Sequence, residues 1–215
     1  MSGAAAPGGG AVVKRGRHGE LGQTGRIGPN AITRVAEVLP ALLGRAGTRA
    51  LFESAGLGHY LRAPPQGMVD EAEVARLHAA LRRQLGAALA AEVARQAGER
   101  TADYLLAQRI PKPVQALLKR LPAGLAARVL LAAIRRNAWT FVGSGAFSAR
   151  AGRPCVLEIR DNPLCRGLAS EAPTCDFYAA SFERLFRVLV HPRARAVETA
   201  CEGRGDALCR FELRW

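Results

Sequence analysis

No run of ~18 uninterrupted apolar residues occurs in this chain, so the sequence offers no membrane-spanning helix. The best short apolar run, Val129 to Ile134, is closed by Arg128 and Arg135. Residues 1–20 contain no apolar core of the ~7–15 residues that a secretory signal needs. Cysteine is absent before position 155, and no Cys-x-x-Cys or iron–sulfur cysteine run follows. A P-loop is also missing. Lysine is scarce, with only Lys14, Lys112 and Lys119. Nothing points to export, and the expected location is the cytoplasm.

What is present is an ordinary globular composition on 215 residues, with 49% hydrophobic and 23% charged residues. That length suits one sizeable domain. Lys+Arg number 31 against 18 Asp+Glu, a net charge of +13, almost all of it arginine. Such a surplus suits nucleic acid, anionic lipid, an acidic partner or an anionic ligand. The arginine bias also fits a GC-rich coding sequence, because the arginines are scattered.

Residues 1–30 read as a flexible leader, Gly-rich and then basic at Lys14-Arg15-Gly16-Arg17-His18. Residues 31–215 read as a single ligand-binding domain, with a helical part at 31–137 and a sheet part at 138–215. Asn30 caps a helix ended by Gly44, and a short helix follows over 48–55. Asp70 caps the longest helix, striped by Val74, Leu77, Leu81, Leu85, Leu89 and Val93, with Gly98 as its terminator. Further helices cover 101–109 and 114–120. Another runs from Pro122 to 137, with Leu125, Val129, Leu130 and Ile134 facing inward. The period then changes to two. Trp139, Phe141, Gly143, Gly145 and Phe147 fall on one face of a strand over 138–147. A second strand spans 154–160, and Asp161-Asn162-Pro163 makes a turn. A helix covers 176–190, and strands at 195–201 and 208–215 flank a hairpin loop. The expected fold class is α+β, a helical half packed on a small antiparallel sheet with a crossing helix.

Five cysteines, at 155, 165, 175, 201 and 209, do not pair evenly, and a reducing compartment favours metal or thiol chemistry over disulfides. Cys201 and Cys209 are symmetric about Gly205. Directly opposed on a hairpin, their β-carbons would lie about 4.5–5.5 Å apart, which suits two thiolates on one ion. Cys175 opens the helix 176–190, where helix-terminal amides favour thiolate. Zinc is the expected metal. Glu198 leads as fourth ligand, although its spacing of three from Cys201 requires a bulge. Cys165, Asp206 and His191 are the alternatives. Buried structural thiols or a cross-strand disulfide remain open readings of the same residues.

Ala138-Trp139-Thr140-Phe141, Cys175-Asp176-Phe177-Tyr178 and the run Glu198 to Phe211 resemble the four-vinyl-reductase domain family. Tyr104-Leu105-Leu106 and Arg109-Ile110-Pro111 look like its bacteriochlorophyll-biosynthesis branch, the J proteins of photosynthetic bacteria. The likeness spans about 31–215. It implies a ligand pocket between helices and sheet, a frequently dimeric domain, and a shape similar to subunits of vesicle-tethering complexes. Related sensory domains of transcription activators hold zinc with three cysteines and a glutamate. Carried over, these are Cys175, Glu198, Cys201 and Cys209. The activators' ATPase and DNA-binding parts have no counterpart here, so no DNA partner is expected.

The family name implies reduction of an 8-vinyl group, which needs an electron donor. Gly143-Ser144-Gly145 imitates a dinucleotide loop but leads into a strand, and reads as close backbone packing. A zinc closed by four protein ligands is structural. The favoured expectation is therefore a protein that holds a magnesium tetrapyrrole and delivers it to a biosynthetic enzyme, magnesium chelatase being the candidate. Trp139, Phe141 and Phe147 would form one wall of its slot, His59 or His78 would ligate magnesium, and Arg135 or Arg136 would pair with a propionate. The alternatives are an 8-vinyl reductase with an external donor and a small-molecule-sensing regulatory domain.

Overall fold

The computed structural model describes residues 25–215. The expected leader lies mostly outside the described residues. Its last part, 25–30, belongs to the domain. Strand β1 (Arg26–Ile27) pairs antiparallel with β2 (Val69–Asp70), and Ile27 is buried.

Six helices follow in chain order. Helix α1 (Asn30–Ser54) is broken at Gly44, whose φ of 66° leaves the helical region, so the expected pair of helices abuts with a kink. Helix α2 (Glu71–Tyr104) is capped by Asp70, whose carboxylate accepts from the Ala72 N–H at 2.8 Å. It kinks at Gly86 and runs on through a wider turn over Leu105–Arg109. Gly98 is therefore not a terminator. A β-carbon there would strike the Phe177 carbonyl oxygen and crowd Ala180, so the glycine lets α2 cross the later helix α6 (Asp176–Leu189) closely. Helices α3 (Lys112–Arg120) and α4 (Ala123–Arg136) follow the two prolines that start them.

The expected strand over 138–147 is not formed. Trp139–Val142 is one helical turn, α5, and Gly143 (φ 59°) reverses the chain before β3 (Ala146–Arg150). Alternation of aromatics and glycines imitated a strand, but the glycines serve the turn. The inward row of α4 also differs. Ala126, Leu130 and Ile134 are buried, whereas Leu125 and Val129 are exposed.

Strands β3, β4 (Cys155–Arg160), β5 (Arg195–Ala200) and β6 (Cys209–Arg214) form an antiparallel sheet in the order β3-β4-β6-β5. Helix α6 lies between this sheet and α2. Phe182 joins the two layers, its ring centroid 5.4 Å from Phe211 and 6.1 Å from Phe141. The architecture is the expected mixed one, helices on a small antiparallel sheet. None of the described helices is long and apolar enough to cross a membrane.

Candidate metal centre

Four cysteines from four segments meet at one end of the sheet. Cys165 ends the short turn after β4, Cys175 precedes α6, Cys201 follows β5, and Cys209 opens β6. All four are buried, and their sulfurs lie within 4.8 Å of one another. Cys165 Sγ is 3.3 Å from Cys175, 3.6 Å from Cys209 and 3.8 Å from Cys201. Cys175 Sγ is 3.6 Å from Cys209 and 4.0 Å from Cys201. A tetrahedron with metal–sulfur bonds of about 2.3 Å has edges of roughly 3.8 Å. The group therefore has the size of a four-thiolate site.

Cys201 and Cys209 are not cross-strand partners. Cys209 pairs with Ile159 of β4, and Cys201 lies just past the paired part of β5. The bulge that the spacing demanded does exist, since Glu198 pairs with Phe211 and Ala200 with Arg210, leaving Thr199 unmatched. Glu198 points inward, yet lies beside the four sulfurs rather than among them. Its Oε2 accepts the Cys175 N–H at 2.8 Å, while its buried Oε1 has no partner. Cys165 holds the position for which Glu198 was the leading candidate. Asp206 accepts the Cys201 N–H at 2.8 Å, and His191 Nδ1 accepts the Arg193 N–H.

The residue that sequence reasoning missed is Asn162. It is fully buried, and its side-chain amide donates to Cys175 Sγ at 3.2 Å and to Cys209 Sγ at 3.3 Å. Its Oδ1 accepts the Leu164 N–H at 3.0 Å, which fixes the amide's orientation. Glu202 clamps the same turn, accepting the Asp161 and Asn162 N–H groups at 2.7 Å each, and donates its own N–H to Cys209 Sγ at 3.4 Å. The only sequence signal was an Asn-Pro turn three residues before a cysteine.

The electrostatics suit charge on sulfur. Hydrogen bonds from Cys165 and Cys175 hold the Cys201 thiol well below its ordinary range, whereas contact with Cys165 pushes the Cys175 and Cys209 thiols up. Burial, with the Cys201 charge adding to it, pushes the Glu198 carboxyl up to about 8. Cys155 stands apart from the group, its thiol raised by burial and set 3.5 Å from the Gly152 carbonyl.

The residues expected to hold a pigment are only partly together. Phe141 and Phe147 are half-buried, with ring centroids 5.3 Å apart. Trp139 shares no strand face with them and is 62% exposed on α5. Arg135 is exposed on the last turn of α4. His59 is exposed in the turn after α1, stacked on Tyr60. His78 is buried, its Nε2 donates to the Ala31 carbonyl at 3.3 Å, and burial pushes its pKa down to about 3. A neutral core histidine is what that environment makes. Beside the aromatic pair, a cleft of about 200 Å³ opens between α4 and the β3–β4 turn, lined by Ala127, Arg128, Ala151, Arg153 and Trp215.

A helical half on a four-stranded sheet, closed by converging sulfurs, defines a protein of the vinyl-4-reductase domain class, and residues 155–215 match the model of that domain. The chain belongs to the family of the bacteriochlorophyll synthase 23 kDa chains. It is 45% identical over 188 residues to the chain of that name from Cereibacter sphaeroides, covering 87% of this chain and 90% of the relative. Among solved structures, an H-NOX protein mutant from K. algicida superimposes with a TM-score of 0.58 at 11% identity, covering 87% of this chain and 96% of the other. An H-NOX structure from work on heme distortion gives 0.55 at 14% identity, covering 87% and 93%. These two likenesses are of fold alone.

Proposed function

We propose that this protein serves bacteriochlorophyll biosynthesis in the cytoplasm by binding a magnesium tetrapyrrole and delivering it to a biosynthetic enzyme, with magnesium chelatase the first candidate. The family's name supports the pathway. The fold is one that, in an H-NOX protein, accompanies a heme. The observation that carries the binding step is the apolar edge formed by α4, α5 and β3. There the half-buried Phe141–Phe147 pair lies beside a cleft rimmed by Arg128 and Arg153, with Trp139 and Arg135 exposed at its border. The cleft is smaller than the ~300–1,000 Å³ of an enclosing small-molecule site. A flat macrocycle would therefore lie against this edge with one side open to a receiving enzyme, its carboxylates on arginine.

In this reading the four cysteines hold zinc. Cys165, Cys175, Cys201 and Cys209 supply four sulfurs at tetrahedral spacing, and the amides of Asn162 and Glu202 offset the charge left on them. With every position filled by protein, the ion's contribution is structural. It ties α6 and the β5–β6 loop to the turn after β4.

The test is titration of purified protein with a magnesium porphyrin. The expected result is a saturable spectral shift at one equivalent per chain without any reductant, weakened about tenfold or more by Phe147→Asp. A divinyl substrate reduced in the presence of NADPH, flavin or ferredoxin would instead make the chain a reductase. No shift and no product would remove the pigment from the account.

A further inference from the structure

Between Asp103 and Glu158 the sequence has no acidic residue and nine Lys or Arg. This stretch carries α3, α4, α5 and β3. Among the described residues, none of these nine cations is in an ion pair. The pairs that form lie outside the stretch or involve arginines beyond its ends, such as Arg95 with Glu99 and Arg184 with Asp103. The charge here is left for something outside the chain.

The same helices turn apolar side chains outward. Val114 and Leu117 are three apart on α3, and Leu125, Val129 and Ala133 are four apart on α4. Leu117 is 57% exposed, and the other three large side chains each exceed 40%. The inner rows, Leu118 on α3 and Ala126 and Leu130 on α4, are buried. Both helices pack on each other and on α6, so their outer rows share one side of the molecule. Lys119 and Arg120 end α3 on the exposed side, and Arg136 ends α4.

We propose that the α3–α4 face docks this protein on the surface of an anionic lipid bilayer. Short helices with an aliphatic stripe bordered by Lys and Arg seat the stripe in the headgroup layer and the cations on lipid phosphates. A protein partner suits the face less well, because interface cores are depleted in lysine and favour aromatic anchors. The leader does not complement the face either, since Lys14, Arg15 and Arg17 give it the same sign. The inference is independent of the pigment site and of the sulfur group.

The experiment is co-sedimentation of the full chain with phosphatidylcholine vesicles, with and without phosphatidylglycerol, at low and high salt. Binding is expected only to the anionic vesicles, falling as salt rises. Lys119→Gln and Arg120→Gln should each weaken it about fivefold, ~1 kcal/mol per charge. Leu117→Asp with Val129→Asp should weaken it about tenfold or more, leaving the circular dichroism and unfolding midpoint unchanged because both sites are exposed. Absence of binding overturns the proposal, as does binding indifferent to the aspartates. Equal binding to polyglutamate would reduce the face to charge alone and also overturn it. A dimer dispersed by the aspartates, with no vesicle binding, would overturn it by making the face an interface between two copies of the chain.

Discussion

Asn162 donates its side-chain amide to the sulfur of Cys175 at 3.2 Å, from a fully buried position held by its own Asx turn. The second amide hydrogen serves Cys209. One side chain thus bridges sulfurs from two segments that are far apart in sequence. Asn162→Ala removes both bonds and should weaken metal retention ~10–100-fold, read as faster loss to a chelator. Retention equal to the native chain would reduce Asn162 to a turn residue.

The segment bearing Cys165 is anchored next door. Arg166 pairs with Glu71, and Glu71 also accepts the Ser144 N–H at 2.8 Å and the Ser144 hydroxyl at 2.7 Å. Burial raises the Glu71 carboxyl, but the Arg166 and Ser144 hydrogen bonds outweigh it and hold the group below its ordinary range. Glu71→Ala should cost about 2–3 kcal/mol in urea unfolding at neutral pH, since it leaves buried donors unpaired. The native contribution is full above the ordinary carboxylate range and is lost as pH falls through the lowered value. A variant within about 0.5 kcal/mol of the native chain would show the cluster to be dispensable.

His78 sets a second pH dependence. Its folded value, about 3, lies below the ordinary 6.5. The unfolded chain therefore binds one more proton between those limits, and stability falls as pH drops through that window, by about 1.4 kcal/mol per unit from this group. His78→Gln should lose that component, so the difference in unfolding free energy between variant and native chain should shrink as pH falls from 7 to 5. A constant difference would mean that His78 titrates normally.

Two glycines give opposite outcomes. Gly98→Ala drives a methyl against the Phe177 carbonyl and should destabilise by about 1–3 kcal/mol. Gly124, in α4, has open space around its missing β-carbon, so Gly124→Ala should stabilise by roughly 0.5–1 kcal/mol. Thermal midpoints moving in the same direction would contradict the packing at the α2–α6 crossing.

Much of this was legible in the sequence where period and chemistry agreed. The stripe Phe182, Leu185, Phe186, Leu189 could only be a buried helix face, and the hydrophobic alternation of 155–160 and 209–214 marked the central strands. What failed did so for local reasons. Trp139, Phe141 and Phe147 alternate like a strand, yet a helical turn and Gly143 separate them. Gly98 has the composition of a stop signal, but it serves a contact with α6, which is remote in sequence. Three of the four clustered cysteines were readable from helix start and hairpin symmetry. Cys165 ranked below Glu198 because nothing in its spacing reveals that the 163–165 turn folds back beneath α6. Asn162 was invisible as a sulfur partner for the same reason.

The central claim is that four sulfurs from four segments close on one ion. X-ray absorption at the zinc edge of the purified full chain tests it most directly, together with metal content. One zinc per chain is expected, with four sulfurs at about 2.3 Å and no oxygen neighbour. Three sulfurs and one oxygen would return the fourth position to Glu198, and a chain without stoichiometric metal would leave the cluster as packed thiols.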